Sequence, residues 1–127
     1  MKKRTFETEH FMIEESLVDT SGDAIWSITE KENNSYFYIH VSATGQLYIT
    51  FFKNTKVKNP IEAIEFICKD IIAKNLIPTI KIHYTNTCLI SLCRKVGFRK
   101  VKDQKHLYVY KKAAQWAAFL YLCCKNS

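Results

Sequence analysis

Hydrophobic and polar positions along this chain follow two periods. Residues 11–18, 24–29, 36–42 and 46–53 read as short strands, rich in apolar, aromatic and β-branched residues. The segment 36–42 is the strongest, being aromatic and β-branched with Phe37, Ile39 and Val41 on one face. Ser21-Gly22-Asp23 and Thr44-Gly45 supply the turns, and connections this short force antiparallel neighbours. The period then lengthens: Ile61, Ile64, Ile67, Cys68, Ile71 and Ile72 recur at helical spacing. Asn59 as N-cap, Pro60 at the first helical position and Glu62 in a capping box predict a helix over 60–74. Lys74-Asn75 end it, with Asn75 suited to a left-handed cap, and Pro78 forbids continuation.

Residues 79–84 alternate again, so a right-handed crossover should lay this strand parallel to 46–53. A second helix opens at Asn86 with Leu89, Leu92, Cys93 and Val96 as its buried stripe. Arg94 and Lys95 suit the negative end of its dipole, and Gly97 closes it. Two strands follow over 98–102 and 106–111. The segment 112–124 is apolar almost all round but too short for the roughly 20 residues of a bilayer span, so no membrane span is expected. The fold class is α+β: a mixed, mostly antiparallel central sheet with two main helices and a C-terminal apolar helix. The domain occupies 1–112, and 113–127 form an apolar helix or tail.

Composition narrows the picture. The 127 residues allow one domain, and 3 Gly with 2 Pro exclude low-complexity and collagen-like chains. Nineteen Lys and Arg against 12 Asp and Glu give a formal charge of +7, with basic residues dominating from Lys53 onward. Such a surface suits an anionic partner, either a phosphate-bearing cofactor or a nucleic acid; scattered lysines also serve solubility. The five cysteines show no metal-ligand spacing, so no metal site is expected. Their odd number, with no apolar segment behind Met-Lys-Lys-Arg, points to a reducing cytoplasm.

The element order, together with Asn86-Thr-Cys-Leu-Ile-Ser-Leu-Cys-Arg-Lys-Val-Gly97-Phe98, resembles the GNAT family of N-acetyltransferases. The likeness covers about 11–112. The Asn86-Thr87 start with Leu92 and Gly97 also resembles short members found in tailed phages. The resemblance implies acetyl-CoA as cofactor, lying between the strands matching 46–53 and 79–84. Phe51, Lys53, Lys56, Lys58 and Asn86 are then the cofactor-binding candidates. Family members hold the pyrophosphate on a glycine-rich loop at the start of the helix matching 60–74. Here that loop is Thr55-Lys56-Val57-Lys58-Asn59-Pro60, without glycine, and Glu62 and Glu65 bring negative charge to the first turns.

The resemblance places Cys93 where the family commonly has a tyrosine general acid. Candidates for the general base are His40, His83, Glu30 and Glu32. The family also covers its acceptor site with one or two helices between its first two strands, and here only Asp19 to Asp23 separate them. Two functions are therefore expected to compete. One is an acyltransferase-related protein with weakened or lost acetyl-CoA-dependent N-acyl transfer. The other is a non-catalytic binding module engaging a protein or a nucleic acid through its basic surface. Trp116, Ala117, Leu120 and Cys124 share one helical face, which suits a homodimer through the tail. Light scattering on the whole chain and on one ending at residue 112 checks this: the first should run as a dimer and the second as a monomer.

Overall fold

The computed structural model describes residues 3–18, 20–52 and 55–112. Lys53 and the apolar segment 113–127 lie outside the described residues. Ten elements follow in chain order: β1 (Lys3–Glu7), β2 (Phe11–Val18), β3 (Asp23–Glu30), β4 (Tyr36–Val41), β5 (Gln46–Phe51), α1 (Pro60–Ala73), β6 (Thr79–His83), α2 (Thr87–Val96), β7 (Arg99–Gln104) and β8 (Leu107–Lys111). The strands form one sheet in the order β1-β2-β3-β4-β5-β6-β8-β7. All neighbours are antiparallel except β5 and β6, whose parallel pairing matches the expected crossover.

One face of the sheet is buried. Ile13, Ile28 and Phe37 stand opposite one another across β2, β3 and β4, and Trp26 stands opposite Ile39. They join Leu47, Ile80, Ile82 and Tyr110 in a single core with Ile64, Ile67 and Ile71 of α1 and Cys93 and Val96 of α2. Right-handed crossovers that both step toward β7 place both helices on this face. The opposite face carries Met12, Ile25, Tyr36, Tyr48 and Phe52, each at least 38% exposed.

Several expectations are corrected. The strand β1 was not foreseen, because only Arg4 and Phe6 of its five residues turn toward the helices and an edge strand needs little apolar surface. Strand β7 is exposed at every residue and runs to Gln104 rather than 102, with an irregularity between Lys100 and Lys102. Strand β5 stops at Phe51 rather than 53. The capping box does not form. Asn59 makes no side-chain cap bond, and the Glu62 carboxylate meets His10 instead.

The helix C-termini follow the sequence closely. Asn75 has a φ of 63°, and the Asn75 and Leu76 amides donate to Ile72 and Ile71. Gly97 has a φ of 110°, and the Gly97 and Phe98 amides donate to Arg94 and Cys93. These are two Schellman endings, one at an Asn and one at a Gly.

A charged cluster ties β1 to α1. Arg4 donates to the buried Glu15 carboxylate at 2.6 Å and to Asp70 at 3.0 Å. Lys74 closes the group at 3.4 Å from Glu15 and 2.9 Å from Asp70. By contrast, the Tyr110 hydroxyl is buried without a hydrogen-bond partner among the described residues. Leaving such a donor unpaired costs about 1–3 kcal/mol, so Tyr110→Phe should raise stability by about 1 kcal/mol. Urea unfolding of the two proteins measures this, and a loss of stability would show that the hydroxyl has a partner.

Candidate functional site

Strands β5 and β6 pair only at Gln46–Thr79 and Leu47–Ile80. Beyond those pairs they part, and α2 begins where they have separated. A cleft of about 410 Å³ opens there, lined by Ile49, Thr50, Phe51, Asn86, Cys88, Leu89 and Leu92. Two of the residues expected to hold a cofactor, Phe51 and Asn86, meet in it. Phe51 stacks on Phe37 with ring centres 4.8 Å apart. The Asn86 side chain accepts from the Leu89 amide at 3.2 Å, which fixes the start of α2. Cys88, Thr50 and the apolar walls were not foreseen as site residues. Cys88 falls one residue after a helix start and outside the buried stripe, a position with no signal of its own.

The candidate catalytic residues are not brought together. Cys93 points into the core, and burial pushes its thiol up to about 12. Cys68, also in the core, is pushed up to about 12, chiefly by burial. His40 and His83 stand on the sheet face away from the helices. His40 Nε2 lies 3.0 Å from Asp23, and His83 Nδ1 lies 2.7 Å from the Thr85 hydroxyl. None of the described residues lining the cleft is a His, Asp or Glu.

The loop entering α1 decides whether a nucleotide pyrophosphate fits. Glu30, at the end of β3, is 3% exposed. Its two carboxylate oxygens accept from the Lys58 amide at 3.1 Å and the Asn59 amide at 3.3 Å. The N–H groups that would face a phosphate are thus taken by a carboxylate of the same chain, and Pro60 has none to give. The Lys58 ammonium is held 2.9 Å from Glu32, and each group reinforces the charged state of the other. Lys56 is exposed, and its backbone carbonyl accepts from Ser35. These residues do not fit a pyrophosphate: the donors are filled and the loop already holds a buried anion.

No family model and no curated protein matches the sequence. Among solved structures, the fold is similar to that of the Campylobacter jejuni N-acetyltransferase PseH, with a TM-score of 0.61. The sequences are 14% identical, and the match covers 76% of this chain and 71% of that one. The chain therefore has the GNAT fold, as its element order suggested. No helix among the described residues is long and apolar enough to cross a membrane.

The pair beside this loop gives a titration test. The Glu62 carboxylate, 2.6 Å from His10 Nδ1, raises the imidazole above its ordinary value, with partial burial opposing. For Glu62, burial acts upward, but hydrogen bonds with Thr8 and His10 hold the carboxylate below its ordinary range. The His10 contribution to stability is complete below the unfolded value of about 6.5 and is lost as pH rises through the folded value. The Glu62 contribution is present above about 4.3 and fades as pH falls through its depressed value. An NMR titration of His10 should give a raised pKa that falls in Glu62→Gln. An unchanged His10 titration in that variant would remove the coupling.

Proposed function

We propose that this chain is an acyltransferase-related protein on the GNAT fold in which acetyl-CoA-dependent N-acyl transfer is weakened or lost. The observation that carries this is the Glu30 carboxylate on the Lys58 and Asn59 amides. The cleft between β5 and α2 retains room for a small apolar group, but no acid or base among the described residues lines it. A fold does not carry its chemistry when the site residues are absent. Calorimetric titration of acetyl-CoA should show weak or no binding. A dissociation constant in the low micromolar range, about −8 kcal/mol, would overturn the proposal.

A second titration tests the loop itself. Glu30→Ala leaves two amides without their acceptor and should cost about 1–3 kcal/mol. Inorganic phosphate should restore part of that loss in the variant and leave the native protein unchanged. If phosphate restores nothing, Glu30 does not stand on an anion site.

A second reading, a non-catalytic binding module, is favoured by a different observation. Residues 76–112 hold nine Lys and Arg with Asp103 as their only acid, whereas residues 1–75 hold nine Lys and Arg and 11 acids. The positive charge is gathered in one part of the chain rather than scattered for solubility.

A further inference from the structure

The cationic part of the chain is β6, α2, β7 and β8, which together make one side of the sheet. Its single acid, Asp103, stands opposite Tyr108, whose neighbour on β6 is the buried Ile82, so it belongs to the helical face. On the other face the register sets Lys81 and Lys102 on either side of the buried Val109 in one row, and Thr79, Lys111 and Arg99 in the next. The second row continues onto β5 at Gln46, and Tyr48, two residues further along that strand, stands opposite His40. Beside it lies an aromatic strip. Tyr36 and Phe52 are stacked with centres 5.6 Å apart, Tyr38 lies 5.5 Å from Phe52, and His40 lies 5.6 Å from Tyr48. The acids of this face, Glu7, Glu14 and Asp23, stand on β1, β2 and the start of β3.

This face lacks a helical layer among the described residues. The β2–β3 connection is a tight turn, and α1 and α2 cover the other side. Two properties then coincide: exposed rings on two central strands, and lysines on three strands beside them at spacings of about 4.8 Å. Rings stack on bases of any sequence, and lysines track phosphates. A duplex hides its base faces, so exposed rings favour a single strand.

We propose that this face of the sheet binds single-stranded nucleic acid, with Tyr36, Tyr38, Tyr48 and Phe52 under the bases and Lys81, Lys102 and Lys111 on the phosphates. The proposal rests on the binding-module reading and names its surface and partner. RNA and DNA offer the same stacking and phosphate chemistry, and the test takes both.

The experiment is fluorescence anisotropy of the full chain with labelled oligo(dT) and oligo(U) of about 15 nucleotides. Binding should fall steeply between about 50 and 200 mM salt. A duplex of the same length should bind more weakly. The double variant Lys81→Glu/Lys102→Glu should lose at least about tenfold in affinity and flatten the log–log salt slope by about 1.4. Lys69→Glu/Lys95→Glu makes the same change in net charge on the helices of the other face and should leave affinity unchanged. Tyr38→Ala/Phe52→Ala should cost about fivefold or more with the salt slope kept. Lys81→Gln/Lys102→Gln replaces the first variant if charge reversal prevents folding, as judged by circular dichroism.

Equal losses in the two reversals would overturn the site in favour of diffuse charge. Tighter duplex binding would overturn the stacking role. A lower apparent mass of Tyr38→Ala/Phe52→Ala in light scattering would assign the face to a second copy. Absence of oligonucleotide binding overturns this site while leaving the binding-module reading in place. Tight acetyl-CoA binding overturns that reading instead, so the two failures are distinct.

Discussion

Two residue pairs between β5 and β6 hold the antiparallel strands β1–β5 to the group β6–β8. The junction is short because of what converges on it. The Thr79 amide donates to the Gly45 carbonyl at 3.1 Å, and the turn after α1 passes directly over Gly45. Gly45 has a φ of +93°, and a Cβ there would stand 3.2 Å from both Ile71 and the Ile77 carbonyl. Any other residue would be strained and crowded. With the strands joined only at this point, the rest of β5 is free to turn away, and the cleft forms in the gap. The parallel step also demands a helical crossover, which places α1 over the same face that α2 later covers.

How much of this was legible followed from the burial of each segment. The strands β2 to β6 and both helices were readable because each sets one apolar stripe against one core, so period and burial coincide. Asn75, Gly97 and Asn86 were readable because their jobs are local. Strands β1 and β7 were not, since an edge strand is held by its neighbour's backbone and asks little of its side chains. The start of α1 was misread for the opposite reason. Asn59 and Glu62 have the right local spacing for a cap, but a residue distant in sequence, Glu30, supplies the acceptor. Of the candidate site, Phe51 and Asn86 were found through their place in the element order. Cys88 was missed because nothing in a lone sequence distinguishes a cysteine facing a cleft from one facing water.

The two buried carboxylates show how differently one cost can be met. Removing an ionised carboxyl from water is unfavourable unless charges or hydrogen bonds replace the solvent. Glu15 is met by cations, Arg4 and Lys74, which also bring β1 and α1 together. Glu30 is met by backbone amides at the mouth of a helix, where the dipole adds to the hydrogen bonds. The first arrangement fastens an edge strand, whereas the second settles the geometry of a loop.

Because Glu30 is part of the chain, it acts on its loop as a tethered ligand. Such a ligand has an effective local concentration of order millimolar or higher and loses no further translational freedom on binding. A free phosphate arriving from solution must displace an occupant that never diffuses away. At the start of α1 the chain itself thus supplies the acceptor that a bound anion would otherwise have to bring.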